Sequence, residues 1–399
     1  MTDRANRQLV MIAAIVLTGL TMRVAVTSVG AVLTDLQHGL RISSGVAGII
    51  TTLPVIAFAG MGVLTPALAH RLGEHRLVTI ALVLATLGLA SRAVVGNVWL
   101  FGLLSFLALA GGAIANVLMP SLVKRHFPGQ IGALTATYTT CLAIGSTAAA
   151  GLSVPIAHAF GSWRWGVGAW AVLTGLAVLP WLPTLRGDHP EAGITPDRLP
   201  LARIARTKLG WAMVLLFGFQ SMQAYIAFGW FTEFFRHNSI SSTEAGTLVA
   251  FFSALSIPFS AVIPTLAVRR PRELVMVLGV CNVVCYVGML AAPADGAWIW
   301  MFFGGIGSGF FPMTLTLIGL RSRDIRVTSA LSAFCQSVGY LIAGSGPLLV
   351  GWMLDITDNN WTGPLVLLLV ANAVCWTFAW YSIKARFLDD ELNRLAQPA

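Results

Sequence analysis

Arg23 lies near the middle of an apolar stretch, about Leu9 to Leu33, that contains no acidic residue. If the stretch is a membrane helix rising ~1.5 Å per residue, its guanidinium sits ~20 Å from the end where the chain enters, too deep for its stem to carry the charge out. An arginine at a helix centre costs roughly 2.5–3.5 kcal/mol on insertion scales, and such residues face a protein interior or a watery cavity. Gly19, Arg23, Thr27 and Gly30 share its helical face, small and polar as a cavity wall would be. The chemistry this allows is capture of a small anion through charge-assisted hydrogen bonds. The alternative is an arginine capped by neighbouring carbonyls for structure alone.

Four further helical faces carry polar or aromatic groups. They are Gly112, Asn116 and Pro120; Tyr138 among Thr135, Thr137, Thr139 and Thr140; Gln220, Gln223, Ala227 and Trp230; and Ser332, Gln336, Tyr340 and Pro347. Singly, such amides and hydroxyls also serve as glue between helices, worth about 0.6 kcal/mol each. Gathered around Arg23 they make a small-solute site, apolar with a few polar anchors. The expected substrate-binding set is therefore Arg23, Asn116, Tyr138, Gln220, Gln223, Trp230, Gln336 and Tyr340. Arg92 stands about one turn from the outer end of its span, so it is either a second functional charge or a snorkelling one. Glu233, at the outer end of another span, is the one acidic residue near a membrane interior. With Arg71, in the loop after the second span, these are the candidates for secondary charge or gating. The seven histidines fall in loops or at span ends, so no buried proton relay is visible.

The elements that must position these residues are membrane helices. The chain is 56% hydrophobic and 10% charged, with a mean hydropathy of +0.79. Apolar runs of spanning length, ~20 residues each, recur from end to end. About twelve spans are expected, at roughly 9–33, 45–67, 77–95, 98–121, 131–157, 164–183, 209–235, 244–268, 273–292, 296–320, 327–353 and 361–383. The 40 glycines and 18 prolines sit largely within these runs, where small residues let helices pack closely and broken helices line cavities. An all-α polytopic membrane protein follows. Its two six-helix bundles occupy residues 1–183 and 209–399, the second ending in a short cytoplasmic tail, with a polar linker over 184–208. Of the 25 Lys and Arg residues, Arg41, Arg164 and Arg236 fall in outer segments, Arg23 and Arg92 within spans, and all others on one side. That bias puts both termini and the linker in the cytoplasm.

Other function classes find little support. The net charge of +9 is dispersed over short loops, which is a topology signal and not a nucleic-acid patch. No phosphate-binding Gly-x-x-x-x-Gly-Lys-Ser/Thr and no His-Glu-x-x-His occurs, so neither an enzyme nor a cofactor is expected. The run from Gly304 to Gly309 is flanked by bulky apolar residues and reads as helix packing. The five cysteines, Cys141, Cys281, Cys285, Cys335 and Cys375, lie in apolar segments without the histidines or carboxylates of a metal site. Arg4 and Arg7 precede an apolar run too long for a secretory signal, which is expected to persist as the first span.

The halves look alike. Gly111, Gly112, Pro120, Lys124, Arg125, Gly145 and Trp163 in the first have counterparts in Gly307, Gly309, Pro312, Arg321, Arg323, Gly339 and Trp361 in the second, the pattern of two parallel six-span repeats. Several segments together resemble the cyanate-porter and nitroimidazole-exporter branch of the major facilitator superfamily. They are Thr21-Met22-Arg23 through Gly30, the run from Ala115 to Pro128, Gln220-Ser221 to Trp230, Arg321-Ser322-Arg323-Asp324, and Gln336 to Gly344 with Gly346-Pro347. The resemblance implies the major facilitator fold, the plasma or inner membrane, and secondary transport of small anions or small heteroaromatics. Two positions depart from it. Thr21, Met22 and Val24 flank Arg23 where the branch tends to carry Asn-Leu-Arg-Pro, and His70 replaces the aspartate the superfamily usually places before Arg-x-Gly.

The expectation is a monomeric secondary transporter working by alternating access in the lipid bilayer, with a small-molecule substrate and no nucleic acid or metal. A broad drug exporter is the alternative within transport, and a non-transporting membrane sensor the one outside it.

Overall fold

The computed structural model describes residues 2–42, 44–187, 199–384 and 386–396, and all regular structure among them is helical. Twelve helices are long and apolar enough to cross a membrane, the expected number. Residues 188–198 of the expected linker lie outside the described residues. The chain forms two compact units, residues 1–128 with 137–199, and residues 129–136 with 200–399.

The first unit holds α1 (Thr2–Thr21), α2 (Val24–Ala31), α3 (Leu33–Leu40), α4 (Ser44–Leu72), α5 (Glu74–Arg92), α6 (Val98–His126), most of α7 (Ile131–Ala159), α8 (Trp163–Gly168) and α9 (Trp170–Val178). The second holds α10 (Leu201–Ile204), α11 (Lys208–His237), α12 (Ser242–Arg269), α13 (Pro271–Ala291), α14 (Ala297–Gly307), α15 (Phe310–Leu320), α16 (Ile325–Ile356), α17 (Thr362–Ser382) and α18 (Leu388–Ala396). Side-chain caps start several of them. Asn97 accepts from the Trp99 and Leu100 amides, Thr207 from Gly210, Ser241 from Glu244 and Asp324 from Arg326, each satisfying a donor the helix itself cannot.

Exposed apolar side chains such as Leu87, Leu103, Val172, Val277 and Leu348 cover the outer faces of the spans, as lipid contact requires. Exposed Trp99, Trp165, Trp211, Trp298 and Trp352 stand near span ends, where indole rings bridge headgroups and tails. Inside the first unit Val24, Ala25, Ala57, Leu89, Ala108, Leu109, Ala149 and Trp170 form a core around α2.

Three spans are interrupted. The first stops at Thr21, resumes at Val24 and breaks again at Val32; the sixth passes through Ala169; the tenth breaks at Ser308 and Gly309. In the tenth, the side of each glycine is filled by a neighbour, Leu255 at Gly305, Asn282 at Gly307 and Ile263 at Gly309. The glycine run is thus a close helix contact, as its apolar flanks predict.

The C-terminal tail, which the sequence leaves without an element, contains the amphipathic helix α18. Its Leu388 and Leu392 are buried, and its acidic side chains tie down chain ends on the same side of the second unit. Asp389 accepts from the amides of Arg323 (2.7 Å) and Asp324 (3.0 Å), Asp390 pairs with the Arg323 guanidinium (2.6 and 3.3 Å), and Glu391 accepts from the Leu209 amide (3.2 Å) at the start of α11. Arg321 donates to Ser382 O and Ile383 O, and its burial lowers the guanidinium below its ordinary range. Asp389→Ala removes the acceptor of two amides; with the group at the surface, a local loss of about 1 kcal/mol is expected. Hydrogen exchange over residues 321–326 checks this, with faster exchange in Asp389→Ala than in Asp389→Asn.

Candidate functional site

Arg23 stands at the break in the first span. Its backbone (φ −120°, ψ 0°) leaves the helix, and its carbonyl becomes the first acceptor of α2, taking the Val26 amide (3.0 Å), the Thr27 amide (3.1 Å) and the Thr27 hydroxyl (3.1 Å). Two neighbouring helices pack closely against the break. A Cβ on Gly112 of α6 would come within 2.6 Å of Met22 O, and one on Gly145 of α7 would meet Leu20 O. Only glycine lets these carbonyls sit so close to a facing backbone. On α2, Val24, Ala25, Ser28 and Val29 are buried, whereas Arg23, Val26 and Thr27 are half-buried and Gly30 is exposed. Nothing lies within 4 Å of where a Gly30 side chain would begin. From Arg23 onward the small, polar face is the half-open one, as its spacing predicts; Gly19, before the break, is instead buried against Tyr138 and Cys141.

Asn116 is buried one turn beyond Gly112 on the α6 face that meets Met22. Tyr138 is fully buried on α7, its backbone carbonyl packed on Gly19 and its hydroxyl without a hydrogen bond among the described residues. The first unit therefore brings Arg23, Asn116 and Tyr138 onto the three elements that meet at the break.

Arg92 is 0% exposed: it is a buried charge and does not snorkel. Its Nη1 donates to Ala25 O (3.1 Å), its Nη2 to the Ser28 hydroxyl (2.9 Å), and the Phe101 ring centroid lies 6.0 Å from its Cζ. The C-terminal end of its helix is occupied by Arg164, which donates to Ala93 O and Val95 O. Ser28 had escaped the sequence reading because it lies on the face of α2 opposite Arg23.

In the second unit, Gln220 donates to the Ser221 hydroxyl (2.6 Å) and Gln336 to that of Ser332 (3.0 Å). Tyr340 is buried against Phe217 and Tyr225, with ring centroids 5.2 and 6.5 Å apart. These residues follow the packed pair α11 and α16, where Gly339 lies against Phe217 and Gly218. The Trp230 indole donates to Pro347 O (3.1 Å), fastening the same pair toward the C-terminal end of α11. Gln223 turns elsewhere. Its Oε1 accepts from the Tyr286 hydroxyl (2.9 Å) and from Asn282 (3.4 Å), Asn282 also donates to Asn372 (3.1 Å), and Asn372 donates to Gly279 O (3.1 Å). Tyr286, Asn282 and Asn372 were missed; the signal was a lone amide in each of two otherwise apolar spans.

Arg71 is exposed at the end of α4, and Glu233 is exposed and paired with Arg236 at 3.2 Å, a surface contact of little energetic weight. Among the described residues no three or more His, Cys, Asp or Glu side chains form a group able to hold a metal. His75 and His126, at the ends of α5 and α6, share a hydrogen bond of 2.8 Å between their Nε2 atoms.

Sequence and structure comparisons agree with this architecture. The family profile described as Major Facilitator Superfamily matches residues 11–344. The 2-nitroimidazole transporter of Escherichia coli (strain K12) is 33% identical over 369 residues, 90% of this chain and 92% of that protein. The cyanate transport protein CynX of the same organism is 26% identical over 88% of this chain and 91% of its own length. The proton:xylose symporter XylE, solved with 6-bromo-6-deoxy-D-glucose, superposes with a TM-score of 0.78 at 13% identity, covering 99% of this chain and 100% of that one; at that identity the likeness concerns the fold.

The buried amide cluster of the second unit yields a test. Asn282→Ala leaves the Asn372 side-chain oxygen without its donor and Gln223 Oε1 with the Tyr286 hydroxyl alone. A loss of about 1–3 kcal/mol is expected, read as a lower unfolding midpoint of the purified protein in detergent, whereas Glu233→Gln leaves the midpoint unchanged.

Proposed function

The chain belongs to the Major Facilitator Superfamily, and on that premise we propose that it carries a small anion or small polar heteroaromatic, cyanate-like or nitroimidazole-like, across the cytoplasmic membrane by alternating access. As a member of that superfamily it is a membrane transporter and not an enzyme. Arg23 is the charge that receives the substrate. The observation carrying this reading is the break in the first span, which puts a guanidinium at the N-terminus of α2 on its half-open, small and polar face. The positive end of a helix and a guanidinium favour the same partner, an anion or an electron-rich acceptor. Asn116 and Tyr138 on the adjoining helices supply amide and hydroxyl contacts; in the second unit the proposed substrate-binding residues are Gln220, Gln336, Tyr340, Trp230 and Gln223. The names of the two relatives supply the substrate classes, cyanate and nitroimidazole.

Binding is tested on the purified protein by thermal stabilisation with cyanate, nitrate and 2-nitroimidazole, since a ligand at 100 times its Kd stabilises by about 2.7 kcal/mol. Arg23→Gln removes the charge and keeps hydrogen-bonding capacity, while Arg23→Lys keeps the charge and loses the planar fork. Losing one charge-assisted bond of roughly 1.5–3 kcal/mol weakens binding about tenfold to a hundredfold in Arg23→Gln, with Lys intermediate. A folded Arg23→Gln protein that binds all three ligands like the wild type would sink the reading.

Orientation follows from the one-sided Lys and Arg distribution. Reporter fusions after Lys208 and at the C-terminus are expected to give cytoplasmic signals; an external signal at either would invert the topology.

A further inference from the structure

Arg92 is the largest polar investment inside the first unit, and the anion-receiving role of Arg23 does not use it. All the hydrogen bonds its guanidinium makes among the described residues go to α2, at Ala25 O and the Ser28 hydroxyl; its Nε has no partner. Both acceptors are neutral. They lie three residues apart on the buried side of α2, opposite the half-open side that carries Arg23, Thr27 and Gly30. The helix they belong to is only eight residues long, bounded by the break at Arg23 and another at Val32. So short a segment has no cooperative stability of its own and takes the orientation its neighbours impose.

We infer that Arg92 is a positioning residue for the anion site: by gripping α2 from behind at two points one turn apart, it fixes where Arg23 stands at the break. This rests on the reading of Arg23 given above. An apolar side chain in its place would fill the space but leave α2 free to turn about its axis, because dispersion contacts carry little direction. Turning by one residue's step of ~100° would carry Arg23 off the open side. Lysine keeps the charge but, as a compact point donor, lacks the planar fork that spans two fixed acceptors.

The test is a double-mutant cycle on cyanate affinity with purified full-length protein, using Ser28→Ala, Arg92→Lys, Arg23→Gln and the two pairwise combinations with Arg23→Gln. Ser28→Ala removes one acceptor and adds no strain, so it folds even if Arg92→Lys does not. The expected result is that Ser28→Ala weakens cyanate binding about threefold and Arg92→Lys about tenfold. On the Arg23→Gln background each adds less than about twofold, since residues acting through one another are not additive. Wild-type affinity in Ser28→Ala and Arg92→Lys, or equal losses with and without Arg23, would overturn the inference. Unchanged affinity in Arg23→Gln alone would instead overturn the reading of Arg23. The clamp itself is then decided by hydrogen exchange over residues 24–31, faster in both Ser28→Ala and Arg92→Lys if Arg92 holds α2 and unchanged if it does not.

Discussion

A helix that stops at Thr21 and resumes at Val24 inside a bilayer has carbonyls that no water can satisfy, and placing them is the constraint on which the first unit is built. Leu20 and Met22 turn theirs toward Gly145 and Gly112, so α6 and α7 must approach the break backbone to backbone. That approach brings Asn116 and Tyr138 to the same level. From the other side Arg92 donates to Ala25 O and to the Ser28 hydroxyl of α2. Because these acceptors are neutral, they solvate the charge without cancelling it. Arg92 thus keeps a positive charge inside this unit, and in a medium of low dielectric constant its field is far stronger than the same charge would produce in water.

The second unit solves the same problem without charge. Its polar centre is a chain of amides and one phenol, Tyr286 to Gln223 to Asn282 to Asn372, ending on Gly279 O. Its interrupted span is the tenth, where glycines admit Leu255, Asn282 and Ile263. The sequence repeat of glycines, prolines and loop charges is therefore a repeat of scaffold and not of chemistry. The first unit has the Arg23 guanidinium at its break; the second has an aromatic seam of Phe217, Tyr225 and Tyr340 beside neutral amides.

The spans were legible because each needs ~20 apolar residues whatever its partners, a local property. The break at Arg23 was not, because Thr21-Met22-Arg23 contains neither proline nor glycine, and the glycines that admit its carbonyls, Gly112 and Gly145, lie far along the chain. The open face through Arg23 could be read from spacing alone, since breaking the span leaves the α2 part of that face intact. Arg92 could not be assigned, because one turn from a span end is compatible with burial and with snorkelling alike; what decides is Arg164, already filling that end through Ala93 O and Val95 O. Gln220 and Gln223 looked like one face. A three-residue step leaves two side chains ~60° apart on a helix, and that is enough to send Gln223 to α13 while Gln220 stays beside Ser221. The helix α18 is too short and too charged to announce itself by hydropathy, and its order comes from acceptors that only the folded loop at Arg323 and Asp324 can meet.

A buried arginine is a costly way to hold a helix, so its advantage over a larger apolar side chain has to be directional. The core residues around α2 are mostly alanine, valine and leucine, which fill space but tolerate small rotations. Hydrogen bonds to Ala25 and Ser28 do not, because rotating α2 in either direction lengthens at least one of them. The element they hold ends at Arg23, two residues before the first of those contacts, so little freedom accumulates between clamp and charge. Precision at the break is thus bought with one desolvated guanidinium, and the position of the other is what that precision serves.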